Sequence, residues 1–308
     1  MNKQKNALLS IFSNTALIIL KVIAGILMGS VSVISEAIHS SIDLLASIIA
    51  YFSIKIASKA EDAGHPFGHG KYENVSGFVE ALLILLAAFL IVYQAIKRMF
   101  NGGSVENVGV GIFVMMIAAA VNFCISMVLL KAAKKTDSIA LEADAMHLLT
   151  DVYTSIGVFS GLILLKITKI PIIDPITAIF VSVLIVKTSV TLIKKSLNDL
   201  VDSKLPDEDI SKIINILDSH LEITRYHSLK TRKSGPTREI NVNVHVFANV
   251  LLVDVHILSD KIEAEIKNIF TGDSYVMIHL EPEISKEVSS VSGLIGISSS
   301  IPSATFSK

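Results

Sequence analysis

The chain has 308 residues, of which 51% are hydrophobic and only 18% are charged, and its mean hydropathy is +0.62. This composition excludes an ordinary soluble protein and is typical of a membrane protein that carries a soluble part. The 27 Lys and Arg residues nearly balance the 28 Asp and Glu residues, so net charge does not indicate a nucleic-acid partner. Cys124 is the single cysteine, which excludes an intrachain disulfide bond.

Six apolar runs are long enough to cross a hydrocarbon core of about 30 Å, which needs about 20 helical residues. They cover residues 8–29, 32–57, 76–98, 108–131, 140–165 and 173–194. Lys and Arg near the ends of these runs concentrate on the side of both termini, so we expect both termini in the cytoplasm. No cleavable signal peptide is expected, because the first run is too long for a signal core. Lys21 falls inside that run, and the hydropathy pattern does not explain it.

The polar segment that follows has helical and strand patterns in the order helix–strand–strand–helix–strand. We therefore predict an α-helical membrane domain with six transmembrane helices (1–198) and a cytoplasmic α+β domain of the ferredoxin or metallochaperone type (199–287). In the second strand, "INVNVHVF", alternation places the valines on one face and His245 on the other. The Ser-rich tail, 288–308, is predicted to be disordered.

One motif occurs in both the second and the fifth apolar run. "EAIHSSIDLLAS" (36–47) and "DAMHLLTDVYTS" (144–155) share an acid, a His three residues later, an Asp four after that and a Ser a further four on. Residues four apart lie on one face of a helix, so each His–Asp pair projects the same way. At a rise of 1.5 Å per residue, His39 lies about 10 Å from the outer end of its helix and His147 about 10–15 Å from the inner end of its own, so the two pairs can meet near mid-depth. The four side chains are His39, Asp43, His147 and Asp151.

Two imidazoles and two carboxylates form a four-coordinate site that suits Zn²⁺. Carboxylates within a membrane are costly, and either a divalent cation or protons would neutralise them, which is the requirement for exchange. Alternatively, each His–Asp pair is a hydrogen-bonded structural pair between helices, although the repetition favours a site. Glu36 and Asp144 lie about one turn before the histidines, and we expect them to be structural or vestibule groups.

Two further clusters lie outside the apolar runs. "EDAGHPFGHGKYE" (61–73) contains Asp62, His65 and His69, three ligands that would leave one position open and bind a cation loosely. A polar loop with incidental histidines is the alternative. The predicted cytoplasmic domain carries four more histidines and a carboxylate within a short span: His227, His245, His256, His279 and Glu281. His220 belongs to no motif and is expected to be exposed.

These features resemble the cation diffusion facilitator family, and in particular its bacterial zinc/proton antiporters. The resemblance covers about residues 1–285 and includes the two His-x-x-x-Asp motifs, "HPFGHGKYE" and "TRKSGPTR". It implies that the membrane motif is the transport site, that the loop binds a metal, and that the five cytoplasmic residues hold two metals. Glu281 stands where the family pattern has Asp, which puts the two-metal form in doubt. It also implies a homodimer through the cytoplasmic domain, with Lys71 and Asp202 as a charge pair between the domains.

The predicted function is efflux of a divalent metal, Zn²⁺ and also Cd²⁺, in exchange for protons by alternating access. Zn²⁺ would be substrate and a structural or regulatory ion, with no cofactor, and the protein would be a multi-pass protein of the bacterial inner membrane. The resemblance also implies that the His at position 39, where some members have Asp, is the variant associated with a preference for zinc and cadmium over iron and manganese.

Three other functions compete with zinc export. A transporter of Fe²⁺ or Mn²⁺, or a membrane metal sensor that does not transport, would fit a similar sequence. An intramembrane metalloprotease is disfavoured, because no His-Glu-x-x-His motif occurs and four protein ligands leave no position for water.

Overall fold

The protein is described by a computed structural model over residues 3–28, 31–101, 109–168, 172–270 and 272–283. The predicted tail, 288–308, lies outside the described residues. Contacts divide the chain into two compact units. The first comprises Met1–Ser203 with Arg232–Arg238 and Thr271–Asp273, and the second comprises Lys204–Thr231, Glu239–Phe270 and the chain from Ser274 onward.

Six long helices form the first unit and agree with the six predicted runs. They are α1 (Lys3–Met28), α2 (Val31–Ala57), α3 (Lys71–Asn101), α4 (Gly109–Thr136), α5 (Ile139–Thr168) and α6 (Ile173–Leu200). Several helices extend beyond the predicted runs: α1 begins five residues earlier, α3 begins at Lys71 and α6 ends at Leu200. The reason is that hydropathy detects only the apolar part of a helix, whereas Lys and other good helix formers continue it into water.

Four segments in the described part of the chain are long and apolar enough, by length and composition alone, to cross a membrane. They are Lys3–Ala24, Lys71–Lys97, Met116–Thr136 and Pro175–Leu200. The other two helices, α2 and α5, carry the ionisable motif residues. Together the six helices form the membrane domain of a six-span protein.

Small residues allow the membrane helices to approach closely. α3 packs chiefly on α6, α1 on α2 and α4 on α5. One buried cluster unites four of the helices and includes Ala7, Ala132, Ala133, Ala140 and Ala145. Because lipid is as apolar as the helix surfaces, such van der Waals contact between small side chains contributes much of the helix association.

Apart from the hairpin tip Arg232–Arg238, which belongs to the first unit, the second unit contains a three-stranded sheet with two helices, as the helix–strand–strand–helix–strand pattern predicts. The elements are α7 (Asp207–Ser219), β1 (Ile223–Ser234), β2 (Thr237–Phe247), α8 (Leu252–Asn268) and β3 (Ser274–Glu283), in the strand order β1-β2-β3. Its core contains Ile213 and Leu217 from α7, Ile262 and Ile266 from α8, and the inward residues of β2. The predicted alternation of β2 is confirmed for Val242, Val244 and Val246, all buried.

Candidate metal centres

The membrane motif brings together one residue from each copy. Asp43 on α2 and His147 on α5 lie with Oδ1 and Nε2 3.0 Å apart, and the two residues are only 4% and 6% exposed. Nδ1 of His147 is buried without a hydrogen-bond partner. Asp151 lies one turn further along α5, where its Oδ2 accepts a hydrogen bond of 3.3 Å from Asn122 on α4. His39 belongs to α2, and its side chain lies outside the described part of the structure, as does that of Glu36.

This arrangement places a nitrogen and an oxygen donor close together in a buried position. The imidazole of His147 and the carboxylates of Asp43 and Asp151 interact electrostatically from two different helices. Zn²⁺ accepts His nitrogen and carboxylate oxygen, and its charge would offset the cost of holding carboxylates within a membrane. The donor types and their burial are therefore compatible with binding of a divalent cation.

Asp144 is held by a polar network next to this pair. It is fully buried, and its Oδ1 accepts a hydrogen bond of 2.9 Å from the Ser47 hydroxyl. Ser47 in turn accepts a hydrogen bond of 2.8 Å from the Asn14 amide and shares one of 2.9 Å with Ser10. Sequence reasoning missed Ser10 and Asn14, although their spacing of four places both on one face of α1. The network joins α1, α2 and α5 through side chains that an apolar helix would lack.

Within the described parts of the membrane helices, the buried residues Glu80 and Lys21 were not part of any predicted motif. Glu80 on α3 is fully buried, with Oε1 accepting a hydrogen bond of 2.9 Å from Ser76 and Oε2 without a partner. Lys21 on α1 is 5% exposed, and its Nζ donates a hydrogen bond of 2.6 Å to the Ser40 hydroxyl on α2. A lone charge within an apolar run was the available signal for both.

The loop after α2 brings its three predicted ligands together. Each of Asp62, His65 and His69 offers one atom, and these atoms all lie within 4.8 Å of one another. Asp62 approaches His65 Nδ1 at 3.3 Å and His69 Nε2 at 3.4 Å. The backbone N–H of His65, followed by that of Gly64, donates to Asp62 and holds the pKa of its carboxyl below the ordinary value. The carboxylate is thus ionised and turned towards both imidazoles.

The tip of the β1–β2 hairpin fits closely against this loop within the first unit. A Cβ on Gly70 would lie 2.3 Å from the carbonyl oxygen of Ser234, and a Cβ on Gly235 would lie 2.3 Å from the carbonyl oxygen of Gly70. Gly235 also has a φ of +58°. Asn74 on α3 accepts a hydrogen bond of 2.8 Å from the Gly235 N–H. Both glycines are therefore required by close backbone approach.

Lys71 and Asp202 form an ion pair, with Nζ and Oδ1 2.8 Å apart. Arg232 approaches the other oxygen of Asp202 at 3.1 Å. The hydrogen bond from Lys71, with the nearby positive charges, lowers the pKa of Asp202. The pair is about 40% exposed, so its contribution to stability is that of a surface contact.

In the second unit, the carboxylate of Glu281 lies close to three of the four histidines that the sequence predicts as metal ligands there. Glu281 lies 3.1 Å from His245, 3.8 Å from His227 and 3.8 Å from His279. His227, His245 and Glu281 could hold one ion, since their ligand atoms lie within 4.8 Å of one another. His256 is not part of that trio; it lies on α8, 3.7 Å from Asp260.

Two histidines of the second unit are buried by partners that are distant in sequence. His245, placed on the outer face of β2, is only 4% exposed because Arg225, Glu281 and Glu283 cover it. The prediction that His220 is exposed is wrong. It is 7% exposed and lies with Nε2 3.0 Å from Oε2 of Glu265 on α8, a residue 45 positions away. A partner so distant in sequence gives no periodic signal.

Comparison with known proteins agrees with this architecture. The family model of the cation efflux transmembrane domain matches residues 7–201, and that of the cation efflux protein cytoplasmic domain matches residues 205–283. An uncharacterized transporter, sll1263, of Synechocystis is 34% identical over 277 residues, covering 90% of this chain and 89% of its own. Protein p34 of Rickettsia rickettsii is 30% identical over 270 residues, and the cation-efflux pump FieF of Klebsiella pneumoniae is 29% identical over 270 residues; each match covers 87% of this chain and 89% of the relative. The chain is therefore an integral membrane transporter that belongs to the cation efflux, or cation diffusion facilitator, family.

Proposed function

We propose that the protein exports divalent cations, Zn²⁺ foremost and Cd²⁺ as well, in exchange for protons. The observation that supports this most directly is the buried contact between Asp43 and His147, which come from the two copies of one motif. His39 and Asp151 are the other proposed ligands. Imidazole nitrogen favours Zn²⁺ and Cd²⁺ over the harder Mn²⁺, which favours this substrate class over iron and manganese.

Proton exchange follows from the chemistry of the proposed ligands. Moving a divalent ion outward against an inside-negative potential costs about 4.6 kcal/mol per 100 mV, twice the value for one charge. Imidazoles and carboxylates release protons when a metal binds and regain them when it leaves. In the proposed cycle the metal enters from the cytoplasm and displaces protons, and the helices rearrange. The metal then leaves outward, and protons replace it; His147 is the proposed carrier.

The remaining clusters have regulatory or structural roles in this proposal. Asp62, His65 and His69 would capture a cation on the cytoplasmic side. The Glu281 cluster would bind metal in the cytoplasmic domain, through which we propose that two copies associate. Both termini would lie in the cytoplasm of a bacterial cell, with the helices in its inner membrane.

The test measures Zn²⁺ flux and internal pH together in sealed proteoliposomes. An inward proton gradient should drive Zn²⁺ export, and metal flux should acidify the side from which the metal comes. Asp43→Ala and Asp151→Ala should abolish flux while the protein still inserts. Asp260→Ala, which removes an exposed carboxylate from α8, is the matched control and should transport normally.

Each other outcome has a defined meaning. Full flux in Asp43→Ala would contradict the transport site. Full flux without linked proton movement would replace antiport with uniport. Tight metal binding without any flux would make the protein a sensor.

A further inference from the structure

Lys21 is one of the buried charged residues in the described helices to which the proposed transport cycle gives no role. It lies in the membrane span Lys3–Ala24, 5% exposed, and its ammonium donates to Ser40, itself 6% exposed. Charged side chains in a membrane interior are costly and are found mainly at functional positions. A residue needed only to fill space between α1 and α2 would carry no charge.

Hydrogen bonds between α1 and α2 fix the level of Lys21 relative to the cation site. Asn14 contacts Ser47, and Lys21 contacts Ser40. The two helices therefore run antiparallel, and an advance of seven residues along α1 matches a retreat of seven residues along α2. Asp43 falls between these two contacts. It follows Ser40 by three residues, a rise of about 4.5 Å, and three-residue spacing keeps both on neighbouring faces of α2. The ammonium therefore lies about one helical turn from the level of Asp43, on the side away from the N-terminus of α1.

We propose that Lys21 is a built-in counter-charge that weakens the hold of the transport site on a divalent cation and so speeds its release. This inference rests on the proposed function of Asp43 and its partners as the cation site. In the low dielectric of the membrane interior, a fixed positive charge within about 10 Å of a bound divalent ion is only weakly screened. The ion is repelled, while the metal-free site, with its carboxylates, is stabilised. Both effects favour departure of the metal.

Three variants of Lys21 separate the effect of its charge from the effect of its hydrogen bond to Ser40. Lys21→Gln keeps a donor for the Ser40 hydroxyl and loses the charge, Lys21→Met loses both, and Lys21→Arg keeps the charge. Zn²⁺ affinity is measured on the full chain with the loop and cytoplasmic clusters disabled by His65→Ala and His245→Ala. The Coulomb repulsion between the Lys21 charge and a divalent ion at roughly 10 Å, with an effective dielectric constant of about 20, corresponds to a change in Zn²⁺ affinity of about tenfold or more.

We expect Lys21→Gln and Lys21→Met to bind Zn²⁺ at least about tenfold more tightly, with lower KM and lower maximal flux in proteoliposomes. Lys21→Arg should remain near wild type. The control is Lys55→Met, which removes an exposed lysine from α2 twelve residues from Asp43. A merely structural role would lower flux and thermal stability without lowering KM.

Unchanged or weaker Zn²⁺ affinity in folded Lys21→Gln would overturn the inference, as would Lys21→Arg behaving like Lys21→Met. If Lys21→Met does not fold, Lys21→Gln alone decides the question, since it preserves the contact to Ser40. Failure of the proposed function has a different signature, namely normal flux in Asp43→Ala. If Asp43→Ala is inactive and Lys21→Gln has wild-type affinity and KM, only the counter-charge role fails.

Discussion

Substitution of Gly235 by alanine should destabilise the protein through two separable effects. A residue other than glycine at φ +58° costs about 1 kcal/mol. In addition, the new Cβ would lie 2.3 Å from the carbonyl oxygen of Gly70, so one backbone must move by about 1 Å to restore an ordinary contact. Displacement of two well-packed backbones adds roughly 1–3 kcal/mol, the range for overpacking. The sum is about 2–4 kcal/mol.

The assay is thermal unfolding of the purified protein in detergent at a fixed scan rate, because membrane proteins often unfold irreversibly. For a unit of about 200 residues, each kcal/mol shifts the apparent Tm by about 2–4 °C, so Gly235→Ala should lower it by roughly 4–16 °C. Gly64→Ala is the matched control, since its Cβ would meet nothing closer than 3.4 Å. Equal Tm values for Gly235→Ala and wild type would refute the claim that the hairpin tip and the loop are in obligatory backbone contact.

Three further predictions concern charge and metal. The hydrogen bond that Lys71 donates holds the pKa of Asp202 below its ordinary value. The ionised carboxylate therefore stabilises the fold at pH values above the ordinary pKa of Asp, and this contribution is lost as the pH falls through the folded-state pKa. Asp202→Asn should therefore cost about 0.5–1 kcal/mol at neutral pH, with a difference in apparent Tm that narrows below about pH 4; a pH-independent difference would contradict this reasoning. His39→Asp should raise Fe²⁺ or Mn²⁺ flux relative to Zn²⁺, and an unchanged ranking would argue against His39 as a direct ligand. His245→Ala should lower the number of Zn²⁺ ions bound per chain at equilibrium dialysis, whereas His256→Ala should lower it less, because His256 lies apart from the trio around Glu281.

Sequence patterns predicted those features that repeat along the chain. Apolar runs of sufficient length predicted all six membrane helices, because a hydrocarbon core imposes the same length on each. Alternation in β2 predicted the inward valines, because the sheet has one face against α7 and α8. The paired His-x-x-x-Asp motif drew attention to Asp43 and His147, which the structure brings to 3.0 Å.

Features that depend on a distant partner were not predictable in this way. His220 is buried because of Glu265, and the need for glycine at position 70 arises from the carbonyl oxygen of Ser234. Helix ends were also missed where polar residues continued the helix beyond the apolar run, as at Lys71. The contacts of His220 and Gly70 join residues that are far apart in the sequence, so no repeating pattern of residues indicates them.

The hydroxyl, amide and carboxylate groups of Ser10, Asn14, Ser47 and Asp144 have a consequence for how the protein is assembled. Helices that have entered a bilayer separately gain little by excluding lipid from one another, so apolar surfaces alone select partners poorly. A polar group left facing lipid, by contrast, is costly until it finds its partner. The hydrogen bonds among these four side chains therefore favour the association of α1 with α2 and α5 over other helix pairings while the protein assembles in the membrane. Replacing Asn14 by leucine should leave every helix inserted but slow the pairing of α1 with α2, which would be visible as delayed protease resistance after synthesis into membranes.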